Sequence, residues 1–319
     1  MLFLNRRGYA GFVSCRSCGH VMKCPHCDVS LSEHNGRKLI CHYCGYETAK
    51  PDRCPVCSSP YIGGFKAGTQ QIQQVVEKEF PEARVLRMDY DTTRAKGSYE
   101  EILEAFSQHR ADILIGTQMI VKGHDFPNVT LVGILAADLS LYSSDFRCGE
   151  RTFQLLTQAA GRAGRANTAG NVVIQTYQPD HYAITCAAAQ DYESFYQEEI
   201  LYRELSGYPP VAHMLAVQIY GKEEENVKQL ALRLTDVVKS NMDFLSGKQK
   251  EQSNKKIQVL GPAPANISKI NDIYRYVFYV KHAEYDVLVE VKDRLEETLR
   301  QWQPRQMSIQ FDFDPVSVL

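Results

Sequence analysis

Ile113-Leu114-Ile115-Gly116-Thr117-Gln118 lies near the middle of the chain and is an apolar run that ends in two polar residues. Its short length and its isoleucines predict a buried strand over 112–116. A polar loop follows and runs to Pro127. In α/β proteins, ligands bind beyond the carboxyl ends of such strands. Thr117 and the residues after it are therefore the first candidates for a binding loop.

The segments around this strand alternate between strand and helix patterns. Further strands are predicted at 2–5, 83–88, 129–135 and 171–177, and helices at 69–80, 99–108 and 150–160. This alternation predicts a mostly parallel, doubly wound α/β sheet.

A different pattern follows the break at Gly207-Tyr208-Pro209-Pro210. The elements expected there are strands at 211–220, 257–260, 273–280 and 307–313, and helices at 224–244 and 285–302. Their β-α-β-β-α-β order predicts a ferredoxin-like α+β domain. We therefore predict a first domain over 1–178 with an insertion at 13–60, a helical linker over 179–208 and a carboxyl-terminal α+β domain over 209–319.

The insertion contains four Cys-x-x-Cys pairs. Its cysteines are Cys15, Cys18, Cys24, Cys27, Cys41, Cys44, Cys54 and Cys57. One such turn points two thiolates at one ion, and tetrahedral zinc needs two turns. The eight cysteines therefore predict two structural zinc ions per chain. Asn35-Gly36, between two short strand patterns, predicts a hairpin inside the insertion.

Spacing leaves the partnering of the four pairs open, because four pairs can be combined in three ways. Disulfides and an iron–sulfur cluster are the alternatives to zinc. The first needs an oxidising compartment, and the second usually has less regular spacing. Nearby histidines are expected to be bystanders, since eight thiolates already complete two sites.

Composition gives little indication of a partner. The net formal charge of −2 means that any DNA-binding surface must come from local patches. Basic residues around the insertion form one candidate patch, namely Arg6, Arg7, Arg16, Lys23, Arg37 and Lys38. No apolar run reaches the roughly 18–20 residues that span a bilayer, so we expect a cytoplasmic protein with no membrane partner.

A second polar stretch is Gln158-Ala159-Ala160-Gly161-Arg162-Ala163-Gly164-Arg165. If it is helical, Arg162 and Arg165 share a face. Two guanidinium groups that converge on a polyphosphate can neutralise the charge that develops during phosphoryl transfer.

Together, the loop after Gly116 and the Gln158–Arg165 stretch resemble motifs V and VI of superfamily 2 helicases. Leu4-Asn5-Arg6-Arg7-Gly8-Tyr9-Ala10, the four cysteine pairs and Gly68-Thr69 narrow the resemblance. In that order they resemble the carboxyl-terminal half of the primosomal protein N′ family, the bacterial replication-restart DNA helicases. The resemblance covers nearly all 319 residues.

This resemblance implies an ATP-dependent 3′-to-5′ DNA helicase that acts at stalled forks and initiates primosome assembly. It implies a second RecA-like lobe carrying the zinc insertion, with ATP and Mg²⁺ bound in the full-length protein. The implied partners are forked and single-stranded DNA, the single-stranded DNA-binding protein and other primosome proteins.

The resemblance also implies roles for individual residues. The outer cysteine pairs (Cys15, Cys18, Cys54, Cys57) would hold one zinc ion and the inner pairs (Cys24, Cys27, Cys41, Cys44) the other. Arg162, Arg165 and Gln158 would be catalytic, Gly123 and Asp125 would lie on the nucleotide side, and Thr117, Arg6 and Arg7 would contact DNA.

No Gly-x-x-x-x-Gly-Lys-Ser/Thr motif and no Asp-Glu pair occur in the chain. The sequence is therefore expected to be a fragment without the first RecA-like lobe, and to be inactive alone. The alternative function is a non-catalytic zinc module that binds nucleic acid or partner proteins.

Overall fold

The computed structural model describes the chain outside residues 6–12, 16, 19, 28, 35–37, 42, 65–67, 122–125, 127, 142–144, 165–168, 241–255 and 317–319. The chain forms two compact units. One comprises Met1–Gly11 and Phe65–Glu199, and the other Phe12–Gly64 and Ile200–Leu319. The cysteine-rich insertion thus belongs to the same unit as the carboxyl-terminal domain. The predicted domain limits stay predictions.

The part of the chain that the structure describes contains fourteen strands and seven α-helices. In chain order the strands are β1 (Leu2–Leu4), β2 (Val13–Cys15), β3 (Ser32–His34), β4 (Lys38–Ile40), β5 (Glu47–Ala49), β6 (Ile62–Gly64), β7 (Val85–Met88), β8 (Ile113–Gly116), β9 (Leu131–Leu135), β10 (Asn171–Ile174), β11 (His213–Gly221), β12 (Gln258–Ile270), β13 (Ile273–His282) and β14 (Met307–Phe313). The helices are α1 (Thr69–Glu79), α2 (Ser98–Ser107), α3 (Cys148–Ala160), α4 (Tyr182–Ala189), α5 (Tyr192–Ser206), α6 (Glu224–Ser240) and α7 (Tyr285–Trp302).

The first unit is built on a parallel sheet of order β10-β9-β1-β8-β7. The opening strand β1 lies at its centre, with Leu2 opposite Ile115 on one side and Gly133 on the other. Central strands of parallel sheets are covered on both faces, so they consist almost entirely of apolar residues. This explains the unbroken apolar run of β8, where Leu114 is completely buried.

The connections between the strands of this sheet run first toward the β7 edge and then back toward the β10 edge. The chain passes from β1 through α1 to the edge strand β7 and returns through α2 to β8, and α3 later connects β9 to β10. Right-handed crossovers in opposite directions place their helices on opposite faces of a sheet. Hence α1 covers one face, and α2 and α3 cover the other. The predicted parallel, doubly wound sheet is confirmed.

Gly116 ends β8 at a place where a side chain has no room. A Cβ atom at Gly116 would lie 2.4 Å from Cγ2 of Ile120 and 2.6 Å from the carbonyl oxygen of Met88. The Met88 oxygen belongs to the backbone of the neighbouring strand and cannot move independently of the sheet. The tight turn from the strand into the following loop therefore requires glycine.

Replacing Gly116 by alanine is expected to lower the free energy of unfolding by about 1–3 kcal/mol, the usual cost of overpacking. Urea denaturation followed by circular dichroism measures this change. Gly63→Ala is the control, because nothing lies within 4 Å of a Cβ atom at that position. Equal unfolding midpoints for the two variants would show that this strand end relaxes freely.

The cysteine-rich insertion folds into two small antiparallel sheets. In one, β2 pairs with β6, and in the other β3, β4 and β5 form a meander. The β3–β4 pairing agrees with the predicted hairpin, whose turn residues Asn35 and Gly36 lie outside the described residues. The core of the insertion is small and includes the buried side chains of Val13, Leu31 and Leu39 together with several cysteines.

The carboxyl-terminal domain has an antiparallel sheet of order β12-β13-β11-β14. Taken in the domain's own order the strands run 2-3-1-4, with each helix linking two strands that are not neighbours. Helix α6 buries one face against the sheet, with Val227, Leu230, Ala231 and Leu234 at helical spacing. The predicted ferredoxin-like α+β domain is confirmed.

Two predicted elements have different limits. The strand expected at 257–260 extends as β12 to Ile270, because an edge strand with register shifts tolerates the prolines Pro262 and Pro264. The helical linker expected over 179–208 contains two helices. Gln190, at φ 54, ends α4, and Asp191 accepts a hydrogen bond from the backbone N–H of Ser194 at the start of α5.

Within the described residues, no helix combines the length and the apolar character that crossing a membrane requires.

Candidate metal centres and nucleotide site

The four Cys-x-x-Cys turns share one backbone hydrogen bond. In each turn the N–H of the first cysteine donates to the carbonyl oxygen five residues later. The four pairs are Cys15 to His20, Cys24 to Val29, Cys41 to Tyr46 and Cys54 to Ser59, with distances of 2.8, 2.9, 2.9 and 2.8 Å. Each bond closes a tight loop that holds its two sulfur atoms on one side. Local sequence therefore shapes four equivalent metal-binding turns.

Among the described residues, two of these turns are followed by a residue with left-handed backbone conformation. Gly45 follows Cys44 at φ 76, and Ser58 follows Cys57 at φ 57. Glycine reaches this region without steric cost, which explains Gly45. Ser58 shows that the turn forms even where the residue carries a Cβ atom.

The turns combine into an outer and an inner cluster. Cys15, Cys18, Cys54 and Cys57 form the outer cluster, and Cys24, Cys27, Cys41 and Cys44 form the inner one. In each cluster all four sulfur atoms lie within 4.8 Å of one another. The structure thus groups the cysteines in the nested way that the family resemblance implied, out of three possible partnerings.

The two clusters differ in exposure to solvent. In the outer cluster Cys15 and Cys54 are buried, whereas Cys18 and Cys57 are exposed. In the inner cluster Cys24, Cys27 and Cys41 are buried and Cys44 is half-buried. The inner cluster is therefore part of a small core, and the outer one lies at the surface.

Both clusters fit a tetrahedral zinc ion. A zinc–sulfur bond of about 2.3 Å gives a tetrahedron with edges of about 3.8 Å. The measured Sγ–Sγ distances are 3.5 Å for Cys15 and Cys57 and 3.6 Å for Cys24 and Cys44. A disulfide requires about 2.05 Å, and none of the ten cysteines, all within the described residues, forms one. Each cluster could thus bind one zinc ion.

Ionisation of Cys27 in the inner cluster depends on a cation. Burial raises the pKa of the Cys27 thiol to about 12, so without a metal this thiol keeps its proton at neutral pH. A bound dication displaces such protons, because the thiolate is the ligand. Metal affinity should therefore fall as the solution becomes acidic.

Outside the clusters, Cys148 and Cys186 are half-buried.

The candidate nucleotide site lies in the first unit, at the carboxyl end of β8. Thr117 follows this strand, is half-buried and precedes the short 3-10 helix Gln118–Ile120. The backbone N–H of Ile120 donates to the Thr117 carbonyl oxygen at 3.1 Å. The predicted binding loop thus begins with a tight turn at the sheet edge where α/β folds bind ligands.

Arg162 joins the two polar stretches of the sequence. Its guanidinium Nη2 donates a hydrogen bond to the carbonyl oxygen of Val121, which lies two positions before Gly123 in the sequence. Arg162 is half-buried. The two stretches are therefore neighbours in space, although 41 residues separate the bonded pair.

The helical arrangement considered for Gln158–Arg165 is not found at Arg162. Helix α3 ends at Ala160, and the N–H groups of Arg162 and Ala163 bond to carbonyls three residues back. This tighter turn follows Gly161, so the spacing of the two arginines no longer implies a shared helix face. Gln158 lies on α3 and is exposed.

Several predicted site residues lie outside the described residues. They are Arg165, Gly123, Asp125, Arg6 and Arg7. Of the other residues in the candidate basic patch, Lys38 forms a salt bridge with Glu47 at 2.9 Å. The DNA-binding role of the patch stays a prediction.

The contact between the carboxyl-terminal domain and the inner cluster was not predicted from the sequence. The backbone N–H of Asn271 donates to Sγ of Cys27 at 3.2 Å. Asn271-Asp272 between two isoleucines is a recognisable hairpin turn. Nothing in the local sequence shows where that turn docks.

The first unit is a doubly wound parallel lobe in which an arginine forms a hydrogen bond with the segment after a central strand. This arrangement is typical of the second RecA-like lobe of a helicase. The comparisons agree with this class. Residues 56–167 match the helicase conserved C-terminal domain. Residues 24–48 match the PriA DNA helicase Cys-rich region (CRR) domain, and residues 204–316 match the primosomal protein N C-terminal domain.

Curated relatives match over the whole chain. The replication restart protein PriA of Bacillus subtilis (strain 168) is 44% identical over 321 residues, which cover 100% of this chain and 38% of that protein. PriA of Synechocystis sp. (strain ATCC 27184 / PCC 6803 / Kazusa) is 40% identical over 100% of this chain and 37% of that protein. The chain belongs to the PriA family. It spans well under half the length of these relatives and fits their carboxyl-terminal half.

Proposed function

We propose that this chain supplies the second wall of the ATP site in an ATP-dependent 3′-to-5′ DNA helicase. The hydrogen bond from Arg162 to Val121 carries the proposal, because it brings the arginine stretch beside the loop that follows the central strand. The family of the chain supports the same function. We further propose that the helicase acts at stalled replication forks and initiates primosome assembly.

The nucleotide side of this wall consists of Arg162, Arg165, Gln158, Gly123 and Asp125. The guanidinium groups of the arginines stabilise negative charge on the transferring phosphoryl group. The bond to the Val121 carbonyl fixes the orientation of Arg162 in advance. The opposite wall holds the triphosphate and Mg²⁺, which explains why this chain alone is expected to be inactive.

DNA would contact the same lobe through Thr117, at the edge of the sheet, and through Arg6 and Arg7. The full protein would bind forked and single-stranded DNA, the single-stranded DNA-binding protein and other primosome proteins. Each of the two cysteine clusters would bind one structural Zn²⁺, with the outer and inner cysteines as ligands.

ATP turnover and unwinding of a forked duplex by two purified proteins test this proposal. One protein is the chain alone, and the other joins the chain to its first RecA-like lobe. We expect DNA-stimulated hydrolysis and 3′-to-5′ unwinding from the joined protein, and neither from the chain. If the joined protein binds DNA and zinc but never hydrolyses ATP, the non-catalytic zinc module becomes the better assignment.

A further inference from the structure

The β12–β13 hairpin ends in a tight two-residue turn. Ile270 and Ile273 face each other across it, and Asn271 and Asp272 adopt left-handed conformations at φ 50 and 58. Asparagine and aspartate tolerate this region better than most residues, and such turns match the twist of a hairpin. The hairpin and the cysteine clusters belong to the same compact unit.

The backbone of this turn bonds to the Cys24–Cys27 turn of the inner cluster. The N–H of Asn271 donates to Sγ of Cys27 at 3.2 Å. The N–H of Asp272 donates to the carbonyl oxygen of His26 at 2.9 Å. One of these bonds ends directly on a candidate metal ligand.

Side chains of the hairpin also contact the Cys24–Cys27 turn and the apolar residues around it. Lys269 Nζ donates to the carbonyl oxygen of Pro25 at 2.9 Å. The carboxylate of Asp272 lies 2.7 Å from Nδ1 of His26. Ile270 packs against the apolar residues that surround the inner cluster. The contacts thus involve each of the residues at positions 25, 26 and 27.

Four thiolates around one Zn²⁺ carry a net charge of −2. N–H donors to the sulfur atoms disperse this charge, and outer partners of this kind fix ligand orientation. Donors from the cluster's own turns include the His26 N–H, which bonds to Sγ of Cys24 at 3.4 Å. The Asn271 N–H comes from a segment 244 residues away.

We propose that the hairpin turn, residues 269–272, is the outer coordination shell of the inner metal site. Occupancy of that site by zinc and docking of the hairpin then stabilise each other, because coupling between two binding events is reciprocal. This inference rests on the proposed zinc binding. It assigns residues of the carboxyl-terminal domain a positioning role at the inner cluster.

Two substitutions at one position test the inference. Asn271→Gly retains the backbone N–H and the left-handed conformation, whereas Asn271→Val disfavours that conformation because valine is β-branched. The Asn271 side chain is exposed, so neither change alters a packed core. The zinc-loaded chain is mixed with excess EDTA and N-ethylmaleimide, and modification of each cysteine is followed by peptide mass spectrometry.

We expect the four inner cysteines to be modified about tenfold faster in Asn271→Val than in the native chain, the usual effect of losing an outer-shell partner. Asn271→Gly should match the native rates. The outer cysteines serve as an internal control and should react at the same rate in all three proteins.

Ile270→Ser provides a second variant in case the valine variant misfolds. It removes the apolar contact with the cluster and keeps the turn. Modification of the inner cysteines should again become faster, with that of the outer cysteines unchanged. The inference would be overturned if the inner cysteines of both variants were modified at the native rate. It would also be overturned if modification of the inner and outer cysteines were accelerated equally. A native chain that binds no zinc would instead overturn the proposed function on which the inference rests.

Discussion

Replacing Arg162 or Arg165 by alanine, in the protein that joins this chain to its first RecA-like lobe, is expected to slow ATP hydrolysis at least about a thousandfold. Arginines that stabilise the charge of a transferring phosphoryl group contribute about 10³–10⁵ in kcat. The loss should appear mainly in kcat, because charge develops in the transition state rather than in the bound nucleotide. Steady-state ATPase assays with saturating DNA measure it.

Arg162→Lys separates charge from geometry. Lysine keeps the positive charge but lacks the planar fork that can bond to the Val121 carbonyl and to phosphate oxygens together. We expect this variant to remain strongly impaired. Arg110→Ala removes an exposed arginine three residues after α2 and should leave turnover unchanged. Near-native kcat in Arg162→Ala and Arg165→Ala would exclude an arginine-dependent nucleotide site on this lobe.

Replacing Cys27 by serine is expected to lower the zinc content of the purified chain from two ions to one, matching the two clusters. Structural zinc sites contribute about 10–16 kcal/mol of binding free energy, and removing one of the four thiolates weakens the site. Inductively coupled plasma mass spectrometry gives the stoichiometry. Since Cys27 is 1% exposed and belongs to the insertion core, loss of the ion should also increase proteolysis of the insertion.

Cys186→Ser is the matched control, because Cys186 lies outside both clusters. This variant should still bind two zinc ions. Acid should release zinc from the native chain, since protons compete for thiolates and burial raises the pKa of Cys27 to about 12. A zinc content that is unchanged in Cys27→Ser would rule out a four-cysteine inner site.

Much of this fold could be predicted because its elements have local causes. The apolar run of β8 and the helical spacing of apolar residues in α6 each determine one element without reference to the rest of the chain. The same holds for the four cysteine turns, whose two ligands lie three positions apart. The predicted limits of an element were wrong where its position in the sheet outweighed the local sequence pattern. Pro262 and Pro264 indicate an end to β12, yet its edge position lets the strand continue past them.

Local sequence patterns predict the alternation of strands and helices in the first domain, the ferredoxin-like order of the last domain and the four metal-binding turns. Their periodicity and spacing act over a few residues. The grouping of the turns into two clusters and the hydrogen bond from Arg162 to Val121 are set by the packing of the folded chain. The same packing sets the bond from Asn271 to Cys27 across 244 residues. These pairings depend on how whole elements pack, and no local pattern in the chain encodes them.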